Sequence, residues 1–384
     1  MLDRLAPALL LAAAMASGSA LAQAFVVDTR APAYPPSPAG ENGPQQADAN
    51  DVLMPWAHGG LPGVARRIND ALFLLVLDTI APRMPGDTFA PPPHDGLQNF
   101  CSINFSVGRN DSRVLSITMG LDYRGSAHCT SESRAFHFEA TTGRLIDVEE
   151  LLTAEGRIAL KTRLRNEAAK TYEAELAILP PDPNAENPDA DPDAPPPPQA
   201  RHLQAGEPDD EEQRQFLTNC LEGWQSSDLS SSLDVELPAE GGMRLPSRSC
   251  AGNRREMLMD VAPPPLRVTD SELEPLLTPY GRRLLLGQGT APGPSDLFGQ
   301  TLHGHVGSAA VTLQLGRPAG AKREIEAHYA YDRNAEAITL YGHPLDGGIE
   351  LDESQDKRFT LHQVGQALVG TWRGKGKTLP VRLE

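Results

Sequence analysis

Four side chains about a third of the way along the chain have types and spacing that could support chemistry: Asp122, His128, His137 and Glu139. His137 and Glu139 stand two residues apart, so an extended strand puts them on one face, and a turn after Asp122 and Tyr123 could fold His128 toward them. Two imidazoles and a carboxylate would hold zinc with a fourth position open for an activated water. The structural alternative has His128 hydrogen-bonding its own turn while His137 and Glu139 face water. The other known catalytic spacings are missing: there is no GxSxG elbow, HExxH helix, GxxxxGKS phosphate loop or GxGxxG after a strand. No catalytic residue, bound metal or cofactor is therefore assigned.

Cys101, Cys129, Cys220 and Cys250 lack the tight CxxC spacing or neighbouring histidine pairs of a zinc site. Four cysteines allow three pairings. Cys101–Cys129 and Cys220–Cys250 are favoured, because Cys101 opens one strand and Cys129 closes the turn before another, while Cys220 ends a helix and Cys250 follows an irregular loop. Oxidised thiols leave no cysteine nucleophile. The first residues point to the compartment that would oxidise them. Arg4, the apolar run Leu5 to Ala16 and Ala20-Leu21-Ala22 make a secretory signal peptide over 1–22, cleaved after Ala22 or Ala24. No later run reaches the eighteen or so apolar residues of a membrane span; Ala71 to Ala81 comes nearest and contains Asp78. The expectation is a periplasmic or secreted protein, soluble after cleavage.

The elements that must position these residues alternate in type. A helix is predicted from Val64 to Ile80, behind Pro62-Gly63 and ahead of Pro82. Strands are predicted over Asn99 to Gly108, Arg113 to Tyr123 and Arg134 to Ala140, and a second helix over Val148 to Leu176 with Leu160, Leu164, Ala168 and Tyr172 along one face. Residues 180–212 are acidic, rich in Pro and poor in branched apolar side chains, the composition of a disordered insertion, although Pro208 and the acids after it also suit the start of a third helix carrying Phe216, Leu217, Cys220 and Leu221. Gly287 to Ser295 reads as a connector. Beyond it, alternating runs at 310–315, 324–331, 337–341, 348–352, 358–363, 367–373 and 378–383 read as seven strands of a small barrel or sandwich. Tyr329, Tyr331 and Trp372 form either its core or a ligand platform. The fold class is α+β, an antiparallel sheet packed with helices, followed by an all-β unit over 297–384.

A formal net charge of −17 leaves no basic face for nucleic acid. It would instead attract a cationic protein, or simply keep a linker solvated.

Ile68-Asn69, Tyr123 to His128, Thr142-Gly143-Arg144-Leu145 with Val148 to Leu152, and Leu273 to Leu277 occur in an order that resembles the RsiV/PdaC-like extracytoplasmic domain. This is the domain of unknown function numbered 3298, with its companion N-terminal segment, found in lysozyme-sensing anti-sigma factors and peptidoglycan deacetylases. The resemblance spans residues 45–286. It implies an α+β fold outside the cytoplasm and recognition of a cell-wall fragment or a lysozyme-like protein, with Tyr123, Arg124 and His128 as contacts. Cys129 stands where the resembling motif has glycine. Neither a membrane span nor the deacetylase catalytic domain is recognisable. The expected function is a non-catalytic envelope-binding protein; the alternative is a metal-dependent hydrolase or deacetylase-like enzyme. Composition leaves the oligomeric state open.

Overall fold

The computed structural model describes residues 24–32, 51–83, 86, 88–89, 97, 99–124, 129–180, 209–226, 233–251, 256, 259–318 and 324–384. The predicted signal peptide, residues 125–128 of the predicted turn with His128, and residues 181–208 of the predicted insertion lie outside the described residues.

Helix α1, Val64–Leu77, is the centre of the molecule. Gly63, with φ 79°, supplies the left-handed turn that starts it, and Asp78, with φ 50°, ends it two residues before the predicted Ile80. The chain leaves the helix by bonding to the C-terminal unit: Ala337 N donates to Asp78 O at 2.8 Å and Ile80 N to Ala335 O at 3.0 Å. The second half of the helix, Ala71 to Leu77, is apolar throughout because it is covered on nearly all sides. Ile68, Leu72 and Phe73 pack into the core of the α+β body, while Leu74 meets Ala330 of the C-terminal unit. The apolar run Ala71 to Ala81 is thus a buried helix and its exit.

Two sheets flank this helix. Strands β1 (Val26–Pro32), β2 (Met54–His58) and β3 (Thr88–Phe89) form a small sheet in the order β2-β1-β3. β1 lies ahead of residue 45, the predicted start of the domain. Strands β4 (Phe100–Asn110), β5 (Val114–Arg124) and β6 (Cys129–Glu139) form an antiparallel meander. Ile103, Leu115, Ile117, Met119, Leu121, Phe136 and Phe138 line its inner face. Burying each such side chain stabilises by about 1.5–3 kcal/mol.

The predicted second helix is two helices, α2 (Val148–Leu151) and α3 (Ala154–Ile178). Leu152 is extended where it bridges Leu277, and the Thr153 side chain accepts from Gly156 N to cap the new helix. Tertiary pairing interrupts a pattern that would otherwise continue. Helix α4, Asp210–Gln225, is capped by Asp209, so residues 209–212 of the predicted insertion are a cap and a first turn. Acids there meet the positive end of the helix. The disulfides are Cys101–Cys129 and Cys220–Cys250. Cys101 is the extra residue where β4 steps out of register between Phe100 and Ser102, and the bridge ties β4 to β6 across the end of β5.

Short strands β7 (Met243–Leu245) and β8 (Leu266–Val268) pair with each other and share a second buried cluster with Val114 of β5. The C-terminal unit is a closed barrel of eight antiparallel strands: β9 (Thr301–Val306), β10 (Ala309–Leu315), β11 (Ile325–Tyr331), β12 (Ala337–Leu345), β13 (Gly348–Ser354), β14 (Lys357–Val364), β15 (Ala367–Gly374) and β16 (Lys377–Leu383). The strand missing from the sequence reading is β9, which pairs with β16 and closes the ring. Closure removes the exposed edges that a meander would leave.

Candidate functional site

The four polar residues proposed from sequence do not form one site among the described residues. His137 and Glu139 do share a face of β6, but that face is covered, and both are buried instead of facing water. His137 Nε2 lies 3.1 Å from Val235 O and Nδ1 lies 3.0 Å from Ser116 Oγ. The carbonyl fixes Nε2 as the donor, so Nδ1 accepts from the serine and neither nitrogen is left for a metal. Burial pushes the imidazole pKa down to about 4, against the opposing bond to Val235 O, and His137 is neutral at pH 7. Glu139 accepts from Arg283 at 2.8 Å and from Thr142 Oγ1 at 3.2 Å.

Asp122 sits far along the same sheet. It pairs in register with Ser131, as Ser116 does with His137, a separation of six residues or roughly 20 Å. The Ser102 and Ser131 hydroxyls both donate to it and hold its carboxyl below the usual range. No group of three potential metal ligands occurs among the described residues. Tyr123 stacks on Phe100 with ring centroids 4.9 Å apart, while Arg124 is exposed at the end of β5. In the barrel, Tyr329 and Trp372 belong to the core, with Tyr329 Oη donating to Glu353 at 2.7 Å. Of the two readings for those aromatics, the core one describes both.

What the fold leaves open is the outer face of the β4–β6 meander. Near the β4–β5 hairpin this face is sealed over Val114, Ser116 and His137 by the segment Leu233 to Leu245. Farther along it presents short polar side chains: Asn104 and Ser106 on β4, Thr118 and Asp122 on β5, Ser131 and Ser133 on β6. Where sealed and open parts meet there is a groove of about 500 Å³, lined by Ser106, Val107, Gly108 and Thr118 on one side and by Glu236 to Arg244 with Arg267 to Asp270 on the other. Glu236 pairs with Arg244, Glu240 lies 3.7 Å from Arg267, and Asp270 accepts from Gly242 N at 2.8 Å.

The groove wall was not among the sequence-stated candidates, yet it left a signal. Leu233, Val235 and Leu237 alternate, Met243 and Leu245 alternate, and Gly241-Gly242 stands between them, which is a hairpin pattern. Glycine is required at Gly242: φ is 71°, and a Cβ would stand 2.4 Å from Val268 O.

In comparisons with protein-family models and with curated proteins, the chain matches neither a family nor a relative. Nothing in these comparisons identifies an RsiV/PdaC-like domain.

Proposed function

We propose that the protein is a non-catalytic, exported envelope protein that binds a wall-active protein such as a lysozyme, with a cell-wall fragment as the other ligand to be tried. One observation carries the reading: the outer face of the β4–β6 sheet beyond its sealed end is open, hydroxyl-rich and ends in a groove, whereas the histidine best suited to chemistry is sealed beneath the neighbouring segment and the glutamate is buried against Arg283. Short polar side chains beside a concave wall give hydrogen bonds at little entropic cost, which favours recognition. Two disulfides support export to an oxidising compartment such as the periplasm. No helix among the described residues is long and apolar enough to cross a membrane.

Titration calorimetry of the mature protein with purified lysozymes and with muropeptides tests the reading. Saturable binding of either ligand, weakened by Ser106→Arg in the groove, is the expected result. Absence of binding to both, or hydrolysis of muropeptides abolished by a chelator, would replace it with the metal-dependent hydrolase alternative.

A further inference from the structure

The groove runs beside the free edge of β4, and the backbone of that edge is partly used already. Ile103 N donates to Asp51 O at 2.7 Å and Ile103 O accepts from Leu53 N at 2.8 Å, so the main-chain groups of Ile103 point away from β5. Six residues on, Arg109 N donates outward to Leu237 O at 2.7 Å. In a strand the outward-pointing residues alternate, which places the N–H and C=O of Phe105 and Val107 on the same open edge. No partner for these groups occurs among the described residues. The gap between the two covered points is roughly 20 Å, enough for a strand of four or five residues. Val107 is exposed there and lines the groove together with Ser106 and Gly108.

Resting on the binding function proposed above, we propose that the groove takes an extended segment of a cationic partner protein, which adds to β4 as a fourth strand. The main chain of Phe105 and Val107 would supply the ladder bonds, as in other recognition by strand addition. Charge sets the sign of the partner. Glu236, Glu240 and Asp270 face Arg244 and Arg267, each arginine is already matched to a glutamate, and the excess carboxylate is Asp270 in a chain of net charge −17. A basic side chain alternating with short polar ones would meet Asp270 on one face of the added strand.

The test uses the mature full chain and a capped decapeptide alternating Lys and Thr, with a Glu/Thr peptide, a lysozyme and muropeptides in parallel. Biolayer interferometry should show the Lys/Thr peptide binding and the Glu/Thr peptide not. Val107→Pro deletes the outward donor at an edge position where proline is tolerated, and should weaken the peptide by at least about tenfold. Val107→Thr keeps the donor and should bind as the parent does. Amide exchange at Phe105 and Val107 in the parent protein should slow when the Lys/Thr peptide is added, and this measurement decides alone if the proline variant fails to fold. Unchanged exchange at those amides overturns the proposal. Lysozyme or muropeptide binding indifferent to Val107→Pro overturns strand addition and leaves the binding function standing; no binding by any probe defeats both. Protection of the two amides without a probe, in a dimer by light scattering, assigns the edge to a second copy and also overturns it.

Discussion

At the residue scale, His137 shows how covering a strand face changes what a side chain can do. Its folded pKa of about 4 lies below the ordinary 6.5, so on acidification the unfolded chain takes up the proton first. The stabilisation is complete above about pH 6.5 and is lost as pH falls toward 4, on the order of 3 kcal/mol in all. Urea unfolding of the parent and of His137→Gln at several pH values in that range should show the parent losing this much more stability; parallel pH profiles would refute the assignment. Arg144 is the opposite case, a charge kept inside. It is buried, donates to both Glu150 oxygens at 2.7 Å and to Tyr280 Oη at 3.0 Å, and these bonds raise its pKa despite the desolvation that opposes them. Glu150→Ala would strand that guanidinium without its counter-charge, and equilibrium unfolding should register a loss of about 3–5 kcal/mol. The Arg144 and Leu145 positions were noted in sequence only as part of a motif. Nothing local indicated that the arginine would be enclosed.

Among the elements, the meander is held by a covalent tie where β6 buries least. The first five residues of β6, Cys129 to Ser133, are polar and exposed, and the predicted strand starts only at Arg134. Alternation of apolar residues cannot reveal a half-strand that buries nothing. Cys101–Cys129 holds that half in place across β5. Replacing both cysteines by alanine should cost about 2–4 kcal/mol in denaturant unfolding under non-reducing conditions. Amide exchange should quicken most in Cys129 to Ser133, and uniform exchange across β6 would mean that the bridge does not position it. The break between α2 and α3 has the same kind of cause. Helical spacing runs on through Leu152 and Thr153, and a partner more than a hundred residues later decides that they are extended.

On the scale of the whole molecule, the α+β body and the barrel share buried polar joints. Asp70, fully buried in α1, accepts from Arg83 at 2.6 and 2.9 Å, from Ala81 N at 3.1 Å and bonds His303 of β9 at 2.8 Å. Arg83 in turn donates to Thr312 of β10 at 3.2 Å. A second joint joins Arg317 to Glu150, and Arg144 to Phe298 O. Partners tied at these two polar joints and by the backbone bonds of Asp78 and Ile80 to Ala337 and Ala335 unfold together, so differential scanning calorimetry of the parent should give one transition. Asp70→Asn combined with Glu150→Gln should split it in two, with Trp56 reporting the body and Trp372 the barrel. Two transitions in the parent would show that the joints do not couple the units.

Sequence by itself favoured the two observed cysteine pairs among three possible pairings, and determined the periodic parts: the buried helix after Gly63, the strands of the meander except the polar first half of β6, the helix faces of α3 and α4, and seven barrel strands. Each follows from local spacing, because a helix or strand writes its buried face into neighbouring residues. Tertiary structure alone decided the rest. The segment Leu233 to Leu245 crosses the meander about a hundred residues after it and turns His137 from a surface candidate into core, while Arg283, further along still, pairs with the buried Glu139. β9 closes the barrel by pairing with a strand at the far end of the unit, a bond that Thr301-Leu-His-Gly-His-Val306 does not announce. The groove at the β4 edge is likewise made by chain segments from separate parts of the sequence, and contacts over such distances leave no period to read.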